Sequence, residues 1–167
     1  RIDEKIKTFT IDQREMVFDF PSEKRPKLIV FNTGNRIPCK LNFNKNISEW
    51  ILQLQTAPNI LDRISAARVL ASKKGRRNVE NALLNSIGSD PFWAVRKEAA
   101  IAFSKLNVNK YEDELIKLTK DQDNRVKRAI YSALKIYKGN KNVSKFLSSV
   151  VDNEEKYYGV ADAFRSL

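Results

Sequence analysis

One pattern occurs twice between Asp90 and Leu134, at an offset of 31 residues. The first copy is Asp90-Pro-Phe-Trp-Ala-Val95-Arg96-Lys-Glu-Ala99-Ala-Ile-Ala102-Phe103, and the second is Asp121-Gln-Asp-Asn-Arg-Val126-Lys127-Arg-Ala-Ile130-Tyr-Ser-Ala133-Leu134. In each, a turn acid is followed five residues on by Val, then by a cation, then by apolar or small residues at helical spacings. A helix of this kind has one apolar stripe and cannot bury it alone, so each copy needs a neighbour.

The register continues on both sides. Arg63, Ala66, Ala67 and Leu70 match Arg96, Ala99, Ala100 and Phe103 at an offset of 33, and Val160, Ala161, Ala163 and Phe164 match Ile130, Tyr131, Ala133 and Leu134 at an offset of 30. Four copies with a period in the low thirties predict stacked helical repeats. The D-x-x-x-x-V-R/K-x-x-A pattern resembles HEAT-type repeats over residues 46–167, and the resemblance implies an α-α superhelix.

Residues 1–45 read differently. Period-2 alternation appears in Lys7-Thr-Phe9-Thr-Ile11, in Met16-Val-Phe18-Asp-Phe20 and in Ile37-Pro-Cys39-Lys-Leu41-Asn-Phe43, with the apolar run Leu28-Ile-Val-Phe31 between the last two. Breakers separate them, Pro21 to Pro26 and then Asn32-Thr-Gly34-Asn35. The expectation is a small antiparallel sheet, hence an α+β chain that is mainly α: strands over 1–45, a partial β-sandwich, and helical repeats over 46–167. Such a sheet needs a partner layer. Either it packs on the first helices or it is half of a sandwich whose other half precedes Arg1. With Arg1 first and Met16 the only methionine, the chain is expected to be a piece of something longer.

The change to helices falls at Asn46-Ile-Ser48, with Ser48 as N-cap and Pro58 as terminator; Asp62 is expected to cap the next helix, running to about Ser72 before the basic loop Lys73-Lys-Gly75-Arg76-Arg77. Further helices are expected over Asn78 to Ile87, Pro91 to Leu106, Tyr111 to Lys120, Asn124 to Tyr137, Val143 to Val151 and from Lys156, with Gly139-Asn140 as a stop.

Net charge is +11, and the excess lies in the repeats: the first 61 residues hold 10 cations and 7 anions, the remainder 21 and 13. Solvated outer faces of lysine-rich helices account for this more simply than a nucleic-acid surface does. No apolar run has the length of a membrane span. The chain contains no histidine, which removes Ser-His and Cys-His arrangements, histidine zinc sites and the commonest general base. Cys39 is the single cysteine, so there is neither an internal disulfide nor a thiolate metal site, and five scattered glycines make no phosphate loop. The densest acids, Glu112-Asp113-Glu114 and Glu154-Glu155, lie at expected helix ends, where carboxylates favour the helix dipole or water. No catalytic, cofactor-binding or metal-binding residue is assigned. Trp50 and Trp93 are read as fillers of inter-repeat grooves rather than stacking platforms. Arg63, Arg96 and Lys127 occupy equivalent positions. They form either a ladder to turn acids such as Asp90 and Asp121 or a basic stripe for phosphates, and acids recurring at the same period favour the ladder.

Taken together, Phe18-Asp-Phe20-Pro21, Arg25-Pro26-Lys27-Leu-Ile-Val-Phe31-Asn32, Gly34-Asn-Arg-Ile37, Lys40-Leu-Asn-Phe43, Lys45, Glu49-Trp50 and Gln53-Leu54 resemble zinc aminopeptidases of the aminopeptidase N family, where a β-sandwich domain ends and a C-terminal helical domain begins. The resemblance implies a non-catalytic fragment of a metallopeptidase. Its partners would be the upstream catalytic domain of the same chain and peptide substrate in the parent's cavity, and its zinc would be held by H-E-x-x-H upstream of Arg1. No catalytic position transfers to this chain. Two other readings stand beside it: a free-standing HEAT scaffold for a protein partner, and a basic HEAT-repeat protein that binds nucleic acid.

Overall fold

The computed structural model describes residues 7–19, 24, 26–39, 43–153 and 157–167. Among them the regular elements are helices, in chain order α1 (Ile47–Thr56), α2 (Ile60–Leu70), α3 (Arg77–Ser89), α4 (Trp93–Leu106), α5 (Glu112–Leu118), α6 (Asn124–Leu134), α7 (Lys141–Asn153) and α8 (Tyr157–Ser166), with one 3₁₀ turn at Lys135–Tyr137 after α6. Odd-numbered helices form one layer and even-numbered helices a second, each pair packing on the next. The even layer is the tighter one, α2 on α4, α4 on α6 and α6 on α8. Small residues at the contacts allow this approach: Ala66, Ala67, Ala99, Ala100, Ala133 and Ala163 are all fully buried. Closer spacing in one layer puts that layer on the inside of the curve.

Each repeat adds a bulky residue to one continuous core. Leu70, Phe103 and Leu134, at equivalent places in α2, α4 and α6, are fully buried, as are Val95 and Val126, just over two turns before two of them. Side chains of this size stabilise by about 1.5–3 kcal/mol each when removed from water. The fourth copy sits three residues on from the expected register, at an offset of 33 from α6. In that register Ala163 takes the place of Ile130 and both are buried, while Phe164 takes the place of Tyr131. The position of Phe164 is buried in the three earlier repeats, at Ala67, Ala100 and Tyr131, and is 68% exposed in α8, the last of the described helices.

The loops between repeats share a device. Gly75, Asn107 and Gly139, spaced by 32 residues, all adopt positive φ, at 70°, 55° and 91°. A left-handed residue turns the chain sharply after each second helix.

The α+β expectation is corrected to all-helical. No strand or sheet occurs among the described residues of 1–45, and Phe9, Ile11, Val17, Ile29, Phe31 and Ile37 are exposed rather than turned onto a shared core. Over residues 32–37 a physical cause is visible at Asn32. Its side chain donates to the Ile37 carbonyl at 2.7 Å and accepts from the Ile37 amide at 3.0 Å, while the Asn35 amide donates to the Asn32 carbonyl at 2.8 Å. With Asn32, Gly34 and Asn35 all at positive φ, the backbone groups a ladder would use are satisfied locally. Alternation marks a face, not a partner strand. Residues 20 and 40–42 of the expected strands lie outside the described residues. Nor is the sandwich end implied by the aminopeptidase resemblance seen among the described residues. Of the two packing alternatives, the described segment takes the first: it lies against the first helix pair through Gly34 and Lys45.

Helix starts also differ. Asn46 rather than Ser48 begins α1, its amide donating to Glu49 Oε2 at 2.9 Å in a capping box. Asn59 rather than Asp62 caps α2, accepting from the Leu61 amide at 2.9 Å. Asn140, expected to stop a helix, instead starts α7 by accepting from the amides of Asn142 and Val143.

Candidate functional site

One edge of the stack holds the turns between first and second helices. There Arg63 reaches forward to Asp90 of the next repeat with Nε at 2.8 Å and Nη2 at 3.2 Å, and its Nη1 donates back to the carbonyls of Ala57 and Pro58. Arg96 repeats the arrangement on Asp121 at 2.6 and 3.0 Å, with Nη1 on the carbonyls of Asp90 and Pro91. Each acid also accepts an amide of its own turn, Phe92 on Asp90 and Asp123 on Asp121. The Asp121 bond holds the Arg96 guanidinium even more firmly protonated than usual. The expected ladder is therefore formed at two rungs, and these forked contacts occupy the guanidinium groups of Arg63 and Arg96. Lys127 makes no ion pair among the described residues. In the sequence series the counterpart of Asp121 is Glu154, which lies outside the described residues together with Glu155.

The ladder has no rung at its first turn, where Ala57 replaces the acid. Instead a carboxylate appears in the core slot: Asp62 stands where later repeats have Val95 and Val126, and it is 5% exposed. Its Oδ1 accepts the Gly34 amide at 3.1 Å, its carbonyl accepts from Gln53 Nε2 at 2.8 Å, and its Oδ2 has no hydrogen-bond partner. Gln53 in turn accepts from Lys45, whose ammonium also lies 4.5 Å above the Trp50 ring. Burial raises the Asp62 carboxyl and lowers the Lys45 ammonium from their ordinary values. This polar node fastens Gly34 and Lys45 to the first repeat. Gly34 is required there by its φ of 75° and because a Cβ would meet Asn59 Nδ2 at 2.9 Å.

The outward face of the even helices is one continuous surface. In the common register it carries Leu61, Ala94, Arg125 and Tyr158 in one row, Ile64, Lys97, Arg128 and Ala161 in a second, and Arg68, Ile101, Ser132 and Arg165 in a third, all exposed or half-buried. Ion pairs brace it across repeats, Arg68 on Glu98 at 3.0 and 3.1 Å and Arg128 on Asp162 at 2.5 Å. Trp93 packs as expected of a groove filler, with the Arg125 guanidinium stacked 3.3 Å from its ring centre and clamped by Asp123. That clamp pulls the Asp123 carboxyl down to about 2.

The opposite edge holds the loops between repeats, and hydrogen bonds stitch them side by side. Tyr111 Oη donates to the buried Glu80 at 3.0 Å, beside Lys110 Nζ at 3.0 Å from the same carboxylate. The Tyr111 amide donates to Tyr137 Oη at 3.2 Å, Tyr137 Oη donates to the Val108 carbonyl at 2.7 Å, and Asn140 Nδ2 donates to Glu112 at 3.3 Å. Burial, with Glu112 and Glu114 nearby, pushes the Tyr137 hydroxyl up to about 12. Sequence reasoning missed this stitching, since two tyrosines 26 residues apart carry no motif. The acids Glu112, Asp113 and Glu114 belong to this edge, and no metal-type grouping of acids and cysteine occurs among the described residues. An open groove of about 650 Å³ lies between α1, α3 and α5, lined by Leu54, Arg63, Leu84, Gly88, Asp90 and Leu118 among others. Its only charged groups are already paired with each other, so it offers no reactive centre. No described helix is long and apolar enough to cross a membrane.

A family model described as HEAT repeats matches residues 47–135 and, in a second placement, residues 82–167. No curated protein matches the chain. The resemblance to zinc aminopeptidases is thereby corrected: the family that matches is that of the repeats alone, and the sandwich portion that carried the rest of the resemblance has no strand among its described residues.

Proposed function

The chain belongs to the HEAT-repeat family, and from that premise we propose that it is a helical scaffold that binds a protein partner along the outward face of its even-numbered helices. The observation that carries this reading is a contrast between two sets of equivalent positions. Facing the core, the repeats keep apolar residues, as at Ala66, Ala99, Ile130 and Ala163, all buried. Facing out, each row changes chemistry from repeat to repeat, as from Leu61 to Ala94 to Arg125 to Tyr158. Uniform packing holds the shape, while varied outer side chains make each repeat a distinct contact. A mixture of exposed apolar groups, aromatics and arginine is the composition of protein interfaces. The forked ion pairs within the face keep it pre-ordered, which lowers the entropy lost on docking.

The test is site-specific photo-crosslinking in the cell of origin. A photoreactive residue placed at Lys97 or Arg128 should give one discrete protein adduct, and the same residue at exposed Lys117 on α5 should not. Adducts at Lys117 but none at Lys97 or Arg128 would refute the assignment of the face.

A further inference from the structure

The cations of this chain divide by edge. At the turn edge Arg63 and Arg96 are consumed by forked contacts to Asp90 and Asp121. At the loop edge Lys73, Lys74, Arg76 and Arg77 make no ion pair among the described residues, and neither do Lys135, Lys138 and Lys141; all but half-buried Lys73 are exposed. Lack of acids nearby does not explain this. Glu112, Asp113 and Glu114 sit on the same edge, Glu112 tied to Asn140 and the other two exposed, yet none of the three is paired with those cations. Hydrogen bonds through Glu80, Tyr111, Tyr137 and Asn140 fix the loops side by side, so the order along the edge is positive, negative, positive.

We infer that this edge docks an extended polypeptide segment of the partner whose charges run acidic, basic, acidic. The inference rests on the scaffold reading above and adds a second contact to it. Charge order decides between candidate partners. A nucleic-acid backbone is uniformly negative, so binding both cationic loops would lay phosphates over Glu112, Asp113 and Glu114. A second copy in two-fold contact would set like on like, because the order reads the same in both directions. A polypeptide can place lysine or arginine opposite the central acids and glutamate or aspartate opposite both cationic loops. With helices stacked about 8–10 Å apart, the two cationic loops lie roughly 20 Å from each other. An extended chain at about 3.3 Å per residue spans that in about six residues, which sets the spacing of its acidic blocks.

The experiment uses the whole chain and synthetic peptides, with fluorescence anisotropy at low salt. The patterned probe has three glutamates, three lysines and three glutamates; the comparison probes are an all-glutamate peptide of the same length and a short DNA duplex. The patterned peptide should bind more tightly than both, although it carries the least negative charge. Reversal of the first loop in K73E/K74E/R76E/R77E should weaken it on the order of tenfold, and D113K/E114K should switch preference to the all-glutamate peptide. Circular dichroism of both variants confirms that the helices persist. Equal or tighter binding of all-glutamate or duplex to the unmodified chain would overturn the inference, as would binding of none of the three. Failure of the Lys97 and Arg128 crosslinks with the peptide preference intact would count against the second-helix face alone.

Discussion

Replacing Asp121 by alanine tests the ladder that joins the repeats. The substitution removes two bonds from Arg96, at 2.6 and 3.0 Å, and the acceptor of the Asp123 amide at 2.8 Å. The side chains of Arg96 and Asp121 are 16% and 8% exposed, so the pair lies nearer the buried limit than the open surface. Breaking a fully buried pair costs about 3–5 kcal/mol and losing an exposed one about 0–1 kcal/mol. The guanidinium keeps its carbonyl acceptors on Asp90 and Pro91 and stays partly solvated, which places the cost at about 2–3 kcal/mol. Urea unfolding followed by circular dichroism reads the total, and hydrogen exchange should place the faster opening at the joint between α4 and α5–α6, since each repeat contacts only its neighbours. The paired change R96M/D121L should recover much of the loss, because it leaves no unpaired charge. An Asp121→Ala protein within about 0.5 kcal/mol of the parent would refute the argument. So would a double variant that loses as much as both single changes together.

Four further outcomes follow from the geometry. Phe103→Ala, at a fully buried site packed edge-on against Tyr111, should cost about 3–5 kcal/mol in the same unfolding assay. Phe164→Ser, at a site 68% exposed, should change stability by less than about 0.5 kcal/mol. Gly34→Ala should speed proteolysis within residues 24–39 and leave exchange in α4 and α6 unchanged, because its Cβ strikes Asn59 and its φ is positive. Acid titration should show two opposite contributions. Burial raises Asp62 in the fold, so its contribution is complete below the ordinary 3.8 and is lost as pH rises through the raised folded value. Asp123 falls to about 2, so its contribution is present above 3.8 and is lost as pH drops toward 2. Asp62→Asn should remove the first component from the pH profile of stability and Arg125→Met the second, the latter also altering Trp93 fluorescence.

The helical stack could be read from the sequence because the fold repeats a local rule. Val95, Ala99 and Phe103, then Val126, Ile130 and Leu134, announce a buried stripe by spacing alone, and all six are buried. The forked pairs of Arg63 and Arg96 followed from acids recurring at the same period as the cations. The register of α8 differs from the expected one by three residues, since small and apolar residues around Val160 fit either offset; Val160 and Ala161 are half-buried like Lys127 and Arg128, rather than buried like Ile130 and Tyr131, and this separates the two. Asp62 was misread as a cap because an acid soon after a proline looks like a helix start; that its neighbours in other repeats are valines gives the signal for a buried role. The sheet expected over residues 1–45 failed for a physical reason. Alternation states which side chains share a side, but strands exist only where another backbone answers, and Asn32 answers its own segment first. The loop stitching by Tyr111 and Tyr137 depends on contacts between residues far apart in sequence that no motif records.

A joint clamped along one rim and tied along the other through hydroxyl and amide groups does not yield equally in every direction. Pulling on the ends of such a stack opens the rim of weaker ties first, so elongation is coupled to rotation of each repeat about the guanidinium clamp. The molecule is thus a torsional spring whose stiffness is set joint by joint, stiffest where Arg63 and Arg96 grip the acid of the following turn.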